Sequence, residues 1–532
     1  MSSRDPQQSQ CWIIGGGVAC LAAAVHLLET GIPGPNIHFI EIISSERDKQ
    51  QRLSSFGNAV DGYSIHAGLQ PDFHGQCMRD LLRLVPSDPA HPRESLYETL
   101  QTEWRQAETS SSQTPTRLLQ HGQRSHLHHF DLKLQDRLDL ARIMMVAEDS
   151  LADQSIRQLF DSRFFASTFW IFWSTTFALQ PWHSAKELRR HLCKHLPDIQ
   201  EINDSQIFGR LQMRFFDAVV RPLRRYLAAR QVDFWPEAAT HVSRLVMDNS
   251  HVVLTQLEIS QAKETTTISL GPHDVCILNP GPIASTVALG SHFARPDVHQ
   301  QTISRPDSRD WSLWYLLAAE SPRFGNPANF IGRVGESRLV TFTVTLRSPL
   351  FLQHYVALTG NQPGAGGAMC TLGDSRWCLS VNVPRQPVFD DQPANVQVIW
   401  GYGLNAQEEG TLVHKGMAEC TGEEILSELL VHLQVPSDAQ QEILASSVCV
   451  PCVMPYATAA MLTRVKGDRP DTLVPGGNVA LVGQFVELPD EPAFSMEYNV
   501  RGAQLAVSQL MQTPAPRKAM RNRLFDVFDI LA

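Results

Sequence analysis

Three consecutive glycines, Gly15-Gly16-Gly17, stand between the apolar run Trp12–Ile14 and an Ala/Leu-rich stretch that reads as a helix to about Glu29. A strand that breaks at glycine and resumes as a helix can hold an anion. Gly15 permits the tight turn, Gly17 lets the backbone approach a pyrophosphate, and the helix start at Val18 and Ala19 presents amide donors. Cys20 occupies the place of a third glycine or alanine and is small enough for helix–strand packing. The triplet alone is a weak signal, but a second strand, Ile37-His-Phe-Ile, follows and ends at Glu41, where an acid would bind a ribose hydroxyl. The chemistry expected is dinucleotide binding. A second spacing, Cys449-Val-Pro-Cys452, matches a redox pair or half a zinc site. No second pair accompanies it, so it reads as two small buried residues on a strand, and no metal site is expected.

These residues need a parallel sheet to position them. Asp274-Val-Cys-Ile-Leu-Asn-Pro-Gly reads as a buried strand ending in a turn at Gly281, and Asn478-Val-Ala-Leu-Val-Gly as another ending at Gly483, with a helix, Val500–Met511, behind it. The fold class expected is therefore α/β, with a discontinuous Rossmann-like cofactor domain assembled from 1–85, 232–295 and 450–511. Residues 86–231 read as a mainly helical lid over the substrate, with helices at 137–150, 153–160, 163–180, 184–194 and 205–229. Within that block, 86–125 is rich in Pro, Ser and Gln and reads as a surface connection. Residues 296–449 read as a mixed strand and helix substrate domain. Thr421-Gly-Glu-Glu opens a helix to Leu433 with a capping box.

Composition narrows the function. A chain of 532 residues, 43% apolar and 19% charged, can bury large cores. Its formal charge of −10 argues against a nucleic-acid-binding protein. Ten cysteines without regular spacing suggest reduced thiols. The polar start Met1–Gln10 and the short apolar run after it do not read as a secretory signal, so a cytoplasmic location is expected. The uncharged stretch Phe164–Ala185 has the length of a membrane span, but its Ser/Thr content and Pro181-Trp-His end fit a buried helix, carrying Trp170 and Trp173, that lines an apolar cavity. At the C-terminus, residues 512–532 include Met520, Leu524, Val527, Phe528 and Leu531 on one helical face, with basic residues at its start. That helix suits either peripheral contact with an anionic bilayer or packing on its own domain or a second subunit.

Several stretches together resemble the oleate hydratase family, also called myosin-cross-reactive antigen proteins. They include Ile13–Ala24, Gly62–Asp80, Phe169-Trp-Ile-Phe-Trp-Ser-Thr-Thr-Phe-Ala-Leu-Gln-Pro-Trp-His, Phe324-Gly-Asn-Pro and Asp374-Ser-Arg-Trp. Trp400-Gly-Tyr-Gly-Leu, Lys466-Gly-Asp-Arg-Pro, Gly483-Gln-Phe-Val-Glu and Met496-Glu-Tyr-Asn-Val-Arg continue in family order, so the resemblance covers nearly the whole chain. It implies FAD as cofactor, competent in its reduced form and unchanged in oxidation state overall. It also implies cofactor contacts from Gly68, Gly281, Gly483, Gln484, Phe485, Glu487 and Ser495, addition of water to the double bond of an unsaturated fatty acid, and a homodimer.

The family's acid–base residues are replaced here. Its catalytic glutamate matches Gln70, an amide without acid–base capacity. The two tyrosines of its Tyr-Asn-Gln-Tyr helix match Met213 and Phe216, and the carboxylate clamp reads Asn382-Val-Pro-Arg-Gln-Pro-Val388. The resemblance thus places Met213, Phe216, Trp170, Trp173 and Asn382 at the substrate. Substitute titratable groups nearby in sequence are His66, Asp72, His74 and Asp217. Two readings follow. In one, the protein is an enzyme that protonates a C=C bond of a hydrophobic substrate, such as a fatty acid, terpenoid or polyketide, for hydration, isomerisation or cyclisation. In the other it is a flavin-binding pseudoenzyme with a lipid-binding or structural role. A fatty-acid hydratase using substitute residues stays open.

Overall fold

The computed structural model describes residues 5–42, 55–66, 75–88, 93–109, 115–125, 132–151, 153–195, 216–236, 240–248, 252–261, 264–281, 286–297, 309–364, 369–473 and 477–515. Short, almost wholly apolar strands form a five-stranded parallel sheet: β1 (Cys11–Ile14), β2 (Ile37–Ile40), β7 (Asp233–Phe234), β11 (Val275–Leu278) and β18 (Val479–Leu481). Their order is β18-β11-β1-β2-β7, with Ile13 level with Ile277 on one side and Phe39 on the other. Strands this apolar suit a sheet covered on both faces. One face is covered by the helix Gly17–Glu29, buried from Val18 to Leu27, which packs with the helices Gln76–Leu84 and Met496–Met511. Its Ala22-Ala23-Ala24 run brings backbones close where longer side chains would hold them apart. A separate antiparallel sheet, β8 (Thr240–Asp248), β9 (Val253–Gln261) and β10 (Glu264–Ser269), covers part of the other face through Val242, Leu257 and Ile259.

The second large sheet has eight strands. Its centre is β12 (Ala288–Leu289), β17 (Ser447–Met454), β13 (Leu339–Leu346), β16 (Gln397–Gly403) and β15 (Leu379–Asn382), and β14 (Cys370–Leu372), β5 (Leu118–Gln120) and β6 (Gln123–Ser125) complete it. Val340, Phe342 and Val344 of β13 face the helix Gly422–His432, whose Thr421–Glu424 capping box is formed as expected. Thr341, Thr343 and Thr345 face the opposite way and receive the hairpin of β3 (Ser55–Asn58) and β4 (Gly62–Ile65): the amides of Tyr63 and Ile65 donate to Thr345 and Thr343 at 2.8 Å each. The segment from 450 therefore begins in the eight-stranded sheet and reaches the five-stranded one only at β18. Cys449 and Cys452 are buried on β17, three residues apart, so their thiols point to opposite faces and cannot meet.

Three stretches differ from the sequence expectation. Residues 86–125, read as a surface connection, contain the helix Leu96–Thr109 and the β5–β6 hairpin. The helix reaches the core through Leu96 and Leu100, too few apolar positions for a clear period. Its start signal is legible in hindsight: Ser95 and Glu98 form a reciprocal cap, the Ser95 amide donating to Glu98 at 2.9 Å. The helix expected at 153–160 is a single 3-10 turn, Ile156–Gln158, and the one expected at 205–229 is, over its described part, a π-turn, Phe216–Val220, followed by a helix with Pro222 in its first turn. Residues 164–185 hold the buried helix Thr168–Phe177, and no described helix is long and apolar enough to cross a membrane. The C-terminal amphipathic segment from 516 lies outside the described residues.

Candidate functional site

At the carboxyl ends of β1, β2, β11 and β18 the connecting turns converge, the position where open α/β sheets bind their ligands. Gly15 holds φ +130°, and a Cβ there would lie 2.6 Å from Cβ of Asn279, so glycine is required for close packing. Gly17 holds φ +78°, yet a Cβ there would meet nothing within 4 Å. The first turn of the helix carries no acidic residue and no side-chain cap. Open space before uncapped amides is what a pyrophosphate needs. Asn279 ties the corner together: its Nδ2 donates to the Gly16 carbonyl at 3.0 Å, and a Cβ on Gly483 would stand 2.6 Å from its Oδ1. Gly281 closes on the Trp311 ring, 2.3 Å from where its Cβ would be. The sequence reading named the glycines and missed Asn279, although it lies in the Asn-Pro-Gly turn that signals the strand end.

The corner fits a dinucleotide cofactor on a further observation. Oε1 of Gln484 and Nε1 of Trp311 are buried without a hydrogen-bond partner among the described residues, beside Gly483 and Gly281. Glu41 lies at the end of β2 as expected, against Gly16, with Arg224 paired to its carboxylate. Ser495 caps the last helix by accepting the Tyr498 amide at 3.1 Å. The Phe485 side chain is packed among Trp311, Trp314 and Phe330, and the Glu487 carboxylate is held by Arg190 and Arg464. The Phe485 side chain is thereby committed to the core, whereas that of Glu487 stays partly exposed. The Glu487 pair belongs to a buried node: Glu187, fully buried, accepts from Arg464 at 2.8 Å, Arg190 at 3.3 Å and the Ala493 amide at 3.0 Å. This node links the helix Ala185–His195 to the loop that follows Gly483.

Gly68, expected at the cofactor, and Gln70, Asp72, His74 and Met213, expected in the chemistry or at the substrate, lie outside the described residues. His66 directly follows β4, with its side chain buried and its ring edge-on to Phe56 at 5.5 Å. Asp217 lies in the π-turn and is paired with Arg221, whose guanidinium also sits 5.6 Å from the Phe216 ring. Trp173 stacks on Phe169 at 5.4 Å, and with Trp170 it belongs to the core of the helical block. Asn382 is buried at the end of β15, level with Trp400. The face of the large sheet that receives β4 is apolar but carries hydroxyls. Thr371 bonds Ser380 at 2.9 Å and Thr175 at 3.1 Å, and the Tyr402 phenol donates to the Thr175 carbonyl. Tyr63 is fully buried on this face, stacked on Phe389 at 4.2 Å, and burial, with Asp391 nearby, holds its phenol proton more tightly than usual. Sequence reasoning passed over Tyr63 because its type and position on a strand look like ordinary core.

A family model described as the MCRA family matches residues 8–508. The chain belongs to the MCRA family. An oleate hydratase of Streptococcus pyogenes serotype M49 (strain NZ131) is 31% identical over 542 residues, covering 98% of this chain and 89% of the relative. A linoleate hydratase of Lactiplantibacillus plantarum is 26% identical over 553 residues, covering 95% and 94%. Among solved structures, cyclohexylamine oxidase from Brevibacterium oxydans IH-35A (TM-score 0.46, 12% identity, 95% and 99% covered) and an oxidoreductase from Methanosarcina mazei (0.45, 12%, 95% and 100%) are similar over nearly their whole length. The MCRA match runs from before β1 into the last helix, so the glycine corner and both large sheets lie inside it.

Proposed function

We propose that the protein is an FAD-dependent enzyme that acts on a C=C bond of a hydrophobic substrate by proton transfer, without net redox change, and that its substrate is not simple oleate. The observation that carries this reading is a contrast. The glycine corner keeps the open approach at Gly17 and the packing around Asn279, while the acid–base positions expected from the family read Gln70, Met213 and Phe216. Bound FAD would supply a flat wall and a local charge beside the alkene. The protein's own part is to exclude water except where it reacts, and to hold a proton that can reach carbon. Asp217 is committed to Arg221, so among the described groups His66 and Tyr63 are the proton donors this reading favours, with Asp72 and His74 as further candidates. Hydration, isomerisation and cyclisation by internal hydroxyl addition share this first step.

The test uses purified, flavin-loaded protein, reduced with dithionite and incubated in heavy water with unsaturated fatty acids and polyene extracts. Deuterium is expected in one alkene product, falling at least a hundredfold in Tyr63→Phe or His66→Asn, the loss typical of a general acid. Absence of deuterium across a broad panel would favour the second reading, a flavin-binding pseudoenzyme, which the loss of acid–base side chains at Gln70, Met213 and Phe216 supports. A separate variant combining Gln70→Glu, Met213→Tyr and Phe216→Tyr is expected to gain oleate hydration. Folded, flavin-loaded triple variant with no gain would count against the residue matching.

A further inference from the structure

A cavity of about 560 Å³ lies at the far end of the large sheet, where β13 begins and β16 and β17 end. It is lined by Arg338, Val334, Ala406, Ala418, Val453 and Pro455, with Arg295, Asp297 and Glu419 among the residues at its edge. Its side of the sheet follows from the strand register. Val453 is level with Val340, which faces the helix Gly422–His432, whereas Thr341 points the other way and bonds the carbonyl of His66. The cavity is therefore separated from the β4 and His66 side by the thickness of the sheet.

We propose that this cavity binds a small monocarboxylate with an apolar body, at a site independent of the one assigned above. Arg338 is half-buried, and its Nε is shielded from solvent without a hydrogen-bond partner among the described residues. No ion pair to its guanidinium is found among those residues either. A guanidinium that lines an apolar cavity without an ion pair is answered better by a carboxylate, which fits its planar fork, than by water. Val334, Ala418, Val453 and Pro455 supply the apolar wall for the rest of the ligand. The volume is in the range of small-molecule sites. Exposed Asp297 and Glu419 more than offset exposed Arg295, so the lining as a whole offers no net positive charge beyond the Arg338 guanidinium, which suits a single carboxylate better than a phosphate dianion.

Calorimetric titration of the flavin-loaded full chain with decanoate, decanol and inorganic phosphate tests this. Decanoate is expected to bind in two classes of site, one of which weakens at least tenfold in Arg338→Met and is absent with decanol and phosphate. The flavin spectrum should not change in the variant. Should Arg338→Met fail to fold, Glu419→Lys, an exposed change, is expected to tighten the same class several-fold. Equal decanoate isotherms for wild type, Arg338→Met and Glu419→Lys would overturn the proposal, as would binding of decanol as tightly as decanoate. Phosphate binding lost with Arg338 would overturn the ligand class.

Discussion

Glu187→Gln is expected to lower the melting temperature by on the order of 5–10 °C, the largest stability effect of any single polar substitution outside the glycine corner. Glu187 is fully buried and accepts from two guanidiniums that are themselves buried, Arg190 and Arg464, and from the Ala493 amide. Glutamine keeps the shape but not the charge, leaving Arg190 and Arg464 with only Glu487 and Glu148 to answer them. Removing one partner from a buried ion pair costs about 3–5 kcal/mol, because the other charge stays buried uncompensated. Burial alone would raise the Glu187 pKa; Arg190, Arg464 and Arg469 outweigh it and hold the carboxyl down at about 2. The sign for pH follows. A depressed acid stabilises the fold above its unfolded pKa, so this contribution is complete above about 4.5 and is lost as the pH falls toward about 2. Wild type should lose melting temperature across that window, and Glu187→Gln should lose less, the remainder coming from Glu428 and Glu487, which are also held well below the usual carboxylate range. Exposed Asp161, paired with exposed Arg163, is the control, and Asp161→Asn should leave the melting temperature unchanged. A shift below about 2 °C for Glu187→Gln would show that the node is not holding the helical block to the Gly483 loop.

That node was not legible in the sequence, and the reason is physical. Glu187 and Arg190 share a helix face by spacing, but on a surface helix the same spacing gives only a weak solvated pair. What makes them decisive is burial against Arg464 and Glu487, nearly 300 residues further along the chain, which no local pattern encodes. The glycine corner was legible because its constraints are local. A strand, three glycines and an apolar helix state their geometry within 20 residues, and Gly281 and Gly483 each end a recognisable buried strand. Asn279 fell between these signals, since an asparagine in a turn is usually explained by the turn itself. The packing of the β3–β4 hairpin lies outside such local signals: that Tyr63 is pressed onto the threonine face of β13 depends on a crossing of sheets the sequence does not announce. The helix Leu96–Thr109 was lost for the opposite reason: its polar composition outweighed a good capping box.

Gly17→Ala is expected to give folded protein that has lost its flavin, and Gly15→Ala protein that is itself impaired. The two glycines are two residues apart and both hold positive φ, so backbone strain alone, about 1–3 kcal/mol for a side chain, would predict similar outcomes. Space separates them. A Cβ at residue 15 would lie 2.6 Å from Cβ of Asn279, which is fixed by its bond to the Gly16 carbonyl, so the turn must open and β1 and β11 must part at their ends. Overpacking of that kind adds about 1–3 kcal/mol to the strain. A Cβ at residue 17 meets nothing within 4 Å, and its cost falls on whatever occupies that space. If a pyrophosphate approaches the helix start there, the methyl group holds it off the amides. Flavin affinity should then fall about a hundredfold, or ~3 kcal/mol, with a melting temperature of the apoprotein close to wild type. Gly15→Ala should lower the apoprotein melting temperature as well. Flavin absorbance per chain and apoprotein melting curves for both variants separate these outcomes. Stoichiometric flavin in Gly17→Ala would mean that the open space before the first helix faces solvent, and the cofactor would have to be sought elsewhere along the carboxyl ends of the sheet.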